Sequence, residues 1–254
     1  MTPTTGNANR AKKSRALNRS GKDRGTPSSI SLVRDEALVD DGIVEAIVVG
    51  TFLSRSLKRS VDILGATIGI LLVLPVLAVV AIAIKIESRG PIFFAHKRLG
   101  RGGALFDCWK FRSMHQNAES LLHADEGLRH HYVSNHFKIP HHLDPRITRL
   151  GRFLRRSSID ELPQLWNVLC GDMSLVGPRP IVSLEATHYG EDLPLLLSVR
   201  PGLTGAWAVQ GRSRVGYPHR ASIELDYVRQ WKLASDLGIL LRTPTVVLTQ
   251  RGVV

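Results

Sequence analysis

Only two cysteines, Cys108 and Cys170, occur in 254 residues. They are too few for a disulfide framework and lack metal-ligand spacing, so a reducing cytoplasmic setting is expected. Acidic residues are also scarce, 22 against 34 lysines and arginines, and the formal charge of +12 points to an anionic partner. Aromatics make up 6% of the chain. No helix-turn-helix, zinc-finger or aromatic RNA-binding signature accompanies the basic charge, so no nucleic-acid partner is expected. Internal repeats are absent, and the hydrophobic content of 43% suffices for a core.

Three stretches organise the chain. Residues 1–54 read as a disordered basic tail, in which Arg10, Lys12, Lys13, Arg15, Arg19, Lys22 and Arg24 stand nearly unopposed. Residues 55–88 contain an uncharged run from Ile63 to Ile84, which as a helix covers ~33 Å, enough for a membrane. Pro75 near its middle removes a backbone donor, so the helix is expected to kink or break there. Lys58 and Arg59 precede the run, and Lys85, Arg89, Lys97, Arg98 and Arg101 follow it. The positive-inside rule then favours a re-entrant helix-break-helix over a straight span, with Thr67 or Ser88 as candidates to satisfy the freed backbone; a straight span is the alternative.

Residues 89–254 read as one cytoplasmic domain of α/β (α+β) class: a small β-hairpin followed by a helix-rich part at the inner leaflet. Ile92 to Ala95 and Leu105 to Phe111 are the strand candidates, with Gly100, Gly102 and Gly103 between them. Residues 115–142 hold seven histidines, His115, His123, His130, His131, His136, His141 and His142, in a polar segment read as an insertion in preference to a zinc site. Ala206 to Gln210 is expected to be a short strand. Ile223, Tyr227 and Trp231 share one helical face, opposite Glu224, Arg229 and Lys232.

The chemistry concentrates at Arg155-Arg156-Ser157-Ser158-Ile159-Asp160-Glu161-Leu162-Pro163. Ser158 with Glu161 fits a capping box and Pro163 a first helical turn, which would put Asp160 at a helix N-terminus. Two adjacent carboxylates beside arginines suit phosphoryl transfer to a lipid-borne phosphate. Arg155, Arg156, Lys110, Arg112 and Arg179 would neutralise phosphate oxygens, Asp160 would be the nucleophile, and Asp160 with Glu161 would be ligands for Mg²⁺. The competing reading is a basic, non-catalytic membrane-surface module that binds anionic lipid or polysaccharide-assembly partners.

Six ordered strings carry a resemblance: Gly90-Pro91-Ile92-Phe93-Phe94, Lys110-Phe111-Arg112-Ser113-Met114, Asp144 through Gly151, Leu154-Arg155 with Ser158 through Leu165, Asn167-Val168-Leu169, and Met173 through Pro180. Behind a proline-interrupted apolar segment, they make the chain resemble the monotopic phosphoglycosyl transferases of bacteria, of the type that initiates exopolysaccharides, over about Lys58 to Leu248. Trp207 to Ser213 is similar to a Trp-Gln-Val-x-Gly-Arg pattern of that type, with Ala208 where Gln is frequent. The resemblance implies that Asp160 attacks the β-phosphate of a UDP-sugar, that UMP leaves, and that undecaprenyl phosphate takes the phosphosugar, glucose or galactose 1-phosphate being expected. It implies that Glu161 assists the acceptor or the metal, that Arg155 holds phosphate, and that Pro178, Arg179 and Pro180 shape the nucleotide pocket. A bacterial inner-membrane location, contact with membrane lipid and a homodimer complete the expectations.

Overall fold

The computed structural model describes residues 50–134, 139–140, 143–211 and 214–249. The expected tail and His136, His141 and His142 lie outside the described residues, apart from the last few positions of the 1–54 stretch. Helix α1 runs from Phe52 to Glu87, three residues earlier than the 55–88 division, and Thr51 caps it by accepting from Ser54 N–H. It is long and apolar enough to cross a membrane, and little of its apolar stretch is buried.

One stripe of α1 faces the rest of the protein along its whole length. Lys58 donates to the Val176 carbonyl, Arg59 to those of Val168 and Leu169, and Asp62 accepts from Ser174 Oγ and Leu175 N–H. Ala66, Ile70 and Val73 continue into one core cluster, then Leu77, Val80, Ala81 and Ile84 into another, and Glu87 accepts from Leu150 N–H. Apart from the adjacent pairs Lys58/Arg59 and Val80/Ala81, the spacing is three to four residues, one side of a helix. Leu64, Ile68, Leu71, Leu72, Val79 and Ile82 stay exposed on the other sides.

Of the kink or break expected at Pro75, a break is not present: Pro75 lies inside the single helix, on its exposed side. Its ring leaves the Leu71 carbonyl without an amide four residues on. Neither expected substitute serves that gap. Thr67 Oγ1 donates one turn back to Ile63, and Ser88 Oγ accepts from Arg112.

Strands β1 (Phe93–Leu99) and β2 (Leu105–Phe111) form the expected antiparallel hairpin around a 3₁₀ turn at Arg101–Gly103, with Phe93 opposite Phe111 and Leu99 opposite Leu105. Helices α2 (Ala118–Ala124) and α3 (Glu126–Ser134) occupy the histidine-rich segment, and no group of three metal-ligating side chains gathers among the described residues. Then come α4 (Arg149–Ser157), α5 (Gln164–Cys170), β3 (Ser174–Val176), a 3₁₀ stretch at Ser183–Asp192 and α6 (Leu193–Leu197). Strand β4 (Gly202–Thr204), α7 (Ala206–Gln210), α8 (His219–Arg229) and α9 (Leu233–Leu248) follow. β4 pairs with β3 in parallel. Both cysteines are free, Cys108 buried and Cys170 exposed.

Two expectations are corrected here. Ala206 to Gln210 is a helix, because Gly205 opens a turn whose carbonyl accepts from both Ala208 and Val209 N–H. Consecutive Trp207 and Ala208 are both buried, which the alternation of a half-buried strand would not allow. The helical face expected for Ile223, Tyr227 and Trp231 is cut short, because α8 ends at Arg229 and leaves Trp231 and Lys232 beyond it, and Glu224 is buried: it is 1% exposed, and its carboxylate accepts from Tyr189 Oη, Arg220 Nε and Arg179 N–H.

Candidate active site at the Asp160–Glu161 turn

Three elements converge on Asp160. Helix α4 begins at Thr148, whose hydroxyl accepts from Gly151 N–H, and ends at Ser158, which adopts a left-handed φ of 59°. That conformation costs a non-glycine residue about 1 kcal/mol and redirects the chain. A 3₁₀ turn at Ile159–Glu161 follows, and α5 starts only at Gln164, after Pro163. The expected capping box is therefore not formed, and Asp160 is not in the first turn of α5. It sits in the bend between two helices, 7% exposed.

The hairpin supplies the opposite wall. Asn167 of α5 is buried and stitches itself to β2, accepting from Trp109 N–H and donating to the Asp107 carbonyl. This fixes the neighbouring Lys110, whose Nζ stands 2.6 Å from Glu161 Oε1. Arg155 donates from Nε to Ser113 Oγ, at the end of the same strand. Burial lowers the Arg155 pKa, while the charges of Asp160 and Asp144 oppose that shift.

Burial also pushes the Asp160 carboxyl up to about 7, helped by the adjacent Glu161 charge and opposed by Lys110 and Arg155. The site thus holds a carboxylate near its midpoint at neutral pH, a poise that enzymes build for reacting groups. Lys110→Gln removes the strongest opposing charge, so the Asp160 titration should move to higher pH. The ascending limb of the pH–rate profile is expected to move with it, by about half a unit or more; an unmoved limb would show that Lys110 does not act on Asp160.

The remaining predicted residues divide. Arg179 lies over the Trp207 ring, 5.6 Å from its centroid, and its charge reaches Arg98 and Glu185. Pro178 and Pro180 are buried on either side of it, their carbonyls accepting from Gly202 N–H and Arg98 Nη1. Arg112 is bound elsewhere: its guanidinium donates to the carbonyls of Ser88 and Arg89 and to Ser88 Oγ, joining the end of α1 to the hairpin. Arg156 is exposed. Pro75 is part of α1 and not of this bend.

Arg98 and Glu185 were not singled out by the sequence. They are 3.5 Å apart, and the charges of Glu161 and Arg179 both act on Arg98. One signal was available: His96, Arg98, Phe106, Cys108 and Lys110 lie on one face of the paired strands. A polar side chain buried on the face that carries Lys110 is a site candidate.

Two adjacent carboxylates faced by Lys110 and Arg155, with the Arg98 charge reaching Glu161 and Arg179 next to Arg98, can engage a diphosphate. The cations suit its oxygens, and a carboxylate is a group that can act as a nucleophile.

A bacterial sugar transferase family model matches residues 53–250. The UDP-galactose-lipid carrier transferase of Erwinia amylovora is 44% identical over 204 residues, covering 78% of this chain and 42% of that protein. The undecaprenyl-phosphate galactose phosphotransferase of Salmonella typhimurium is 43% identical over 202 residues, with the same two shares. The exopolysaccharide production protein ExoY of Rhizobium meliloti is 38% identical over 198 residues, covering 77% of this chain and 87% of that one. The chain thus spans under half the length of the first two relatives and most of the third.

Proposed function

The chain belongs to the bacterial sugar transferase family, and on that premise we propose that it transfers a hexose 1-phosphate, glucose or galactose, from a UDP-sugar to undecaprenyl phosphate, releasing UMP. The reaction would open exopolysaccharide or glycan assembly. The observation that carries the reading is the buried Asp160 beside Glu161, faced by Lys110 and Arg155, in a protein whose longest helix is sheathed in exposed apolar side chains.

A carboxylate oxygen of Asp160 attacks the β-phosphorus, the bond from that phosphorus to the bridging oxygen breaks, and UMP departs with the oxygen. The sugar phosphate is left as an acyl phosphate on Asp160. An oxygen of undecaprenyl phosphate then attacks the same phosphorus and the Asp160 carboxylate leaves, so no proton need move in either step. Arg155, Arg98 and Arg179 balance the charge of the phosphates, and Glu161 orients the acceptor while Lys110 holds it in place.

Mg²⁺ suits this donor set. Asp160 and Glu161 would hold it, since the ion commonly takes one or two carboxylates together with substrate phosphates. When bound it would neutralise charge on the phosphate oxygens.

The contacts of α1 favour immersion in one leaflet over a straight span. A 36-residue helix is ~54 Å long, yet its first turns touch β3 and its last turn touches α4. A helix crossing the bilayer would carry one of those ends, with its polar partners, through hydrocarbon. Immersion in one leaflet keeps Lys58, Arg59, Lys85 and Arg89 on one side of the membrane, the cytoplasmic side by the positive-inside rule.

The test is UMP release by the detergent-purified chain with Mg²⁺, from UDP-glucose and UDP-galactose, with and without undecaprenyl phosphate. Lipid-dependent UMP from one donor is expected. UDP as the product, or no nucleotide product from a wide panel of UDP-sugars, overturns the proposal.

A further inference from the structure

A second cationic site lies away from Asp160. Arg55, Lys58 and Arg59 from the first turns of α1 line one cavity of about 80 Å³ together with Arg101 and Arg200. A single water needs ~10–15 Å³ by this measure, so the cavity admits a group the size of a phosphate. Three carboxylates stand against these five cations. Asp236 pairs with Lys58; Asp62, which also lines the cavity, is engaged by Ser174 and Leu175 while its charge reaches Lys58, Arg59 and Arg200; and Asp172, whose charge reaches Arg200, accepts from Asn167. No ion pair among the described residues includes Arg55, Arg59, Arg101 or Arg200. Arg55 Nε is buried without a hydrogen-bond partner. Arg200 donates from Nε to the Gly171 carbonyl, and its pKa is lowered first by burial and then by the charges of Arg59 and Arg101. Crowded, desolvated cations of this kind are relieved by an anion.

The position of the cavity indicates which anion. Its three α1 cations stand one to two turns before Ile63, where the uncharged run begins, and Phe52, Leu53 and Leu57 on the same turns are exposed. Tyr227 and Trp231 also line it, residue types suited to the headgroup layer. A neighbouring cavity of about 450 Å³ shares Arg101, Ser198 and Arg200, leaving room for a headgroup beyond its phosphate. Neither Asp160, Glu161, Lys110, Arg155 nor Arg179 lines either cavity. Arg101 belongs to the hairpin turn, and Lys110 lies five residues along β2 from Leu105, ~17 Å at the rise of a strand.

We propose that this cavity is a phosphate-ester site, separate from the transferase centre, which holds the headgroup of an anionic phospholipid where α1 enters the membrane. The site itself does not depend on the catalytic reading; only the lipid as source rests on the membrane placement.

The experiment titrates the full chain in detergent with dihexanoyl phosphatidylglycerol, with sn-glycerol 3-phosphate, and with dihexanoyl phosphatidylcholine as the zwitterionic control, following binding by calorimetry. Saturable binding of the phosphatidylglycerol is expected. It should weaken at least tenfold in Arg55→Gln/Arg101→Gln and remain in Asp160→Asn. Arg101→Gln alone, an exposed turn position, gives a readout if the double variant does not fold, and Arg55→Lys should retain binding. A lipid affinity tenfold above that of glycerol phosphate supports a membrane headgroup, and equal affinities support the same site with a soluble phosphate ester. No saturable binding, undiminished binding in the arginine variants, or loss of binding in Asp160→Asn overturns the proposal.

Discussion

Asp160→Asn is expected to abolish UMP release and, at pH 8, to raise the melting temperature. The two effects have one cause. The folded carboxyl holds its proton up to about 7, against 3.8 as the ordinary value, chiefly because it is buried and secondly because Glu161 is beside it. Below the lower value both the folded and the unfolded chain carry the proton, and burial costs nothing extra. As pH rises from there through about 7, the unfolded chain ionises freely while the folded one must bury a charge, so stability is lost across that window. The loss above it is on the order of a few kcal/mol. An amide in place of the carboxyl avoids it, and at ~2–4 °C per kcal/mol the melting temperature should rise by several degrees at pH 8 and little at pH 4. On the proposed reaction the same substitution removes the nucleophile, and turnover should fall by at least ~10⁴-fold. Retained turnover would remove Asp160 from the nucleophile role. A variant melting lower at pH 8 than the wild type would contradict the account of its burial.

Gly202→Ala is expected to produce a large loss of stability from a single methyl group. A Cβ at Gly202 would stand 2.1 Å from the Gly177 nitrogen, 2.4 Å from the Thr204 carbonyl oxygen and 2.6 Å from the Gly177 Cα. All three are backbone atoms of the β3–β4 junction, and none can rotate away. The Gly202 N–H also donates to the Pro178 carbonyl, so separating the strands would displace the turn that aims Arg179. A cost above ~4 kcal/mol is expected, in the upper range for overpacking. Thermal unfolding checks it: a melting temperature within ~2 °C of the wild type would mean that the junction is looser than its contacts indicate.

Long, strongly patterned features were legible in the sequence. Ile63 to Ile84 announced α1 by length and lack of charge, and the strand candidates on either side of Gly100, Gly102 and Gly103 announced the hairpin. Asp160, Glu161, Lys110 and Arg155 were all named from residue chemistry and the ordered strings, and the fold brings them together. Local signals at the bend misled because tertiary contacts outweighed them. Ser158 can cap a helix start, but it closes α4 in a left-handed conformation, and the first-turn role passed beyond Pro163. The burial of Glu224 was not legible because its partners come from three places: Arg220 one turn away, the Arg179 amide, and Tyr189 across 35 residues. Arg112 carried the charge expected of a phosphate ligand, but proximity to the carbonyls at the end of α1 fixed it there. No spacing rule on a single sequence encodes such convergence.

The central claim is that the phosphosugar rests on Asp160 between donor and acceptor. Exchange without acceptor tests it most directly: purified protein, unlabelled UDP-sugar, Mg²⁺ and radiolabelled UMP, with no undecaprenyl phosphate present. A covalent intermediate returns its phosphosugar to UMP, so label should enter the UDP-sugar in the wild type and not in Asp160→Asn. Lipid-dependent turnover with no exchange at all, or exchange that survives in Asp160→Asn, would contradict the account.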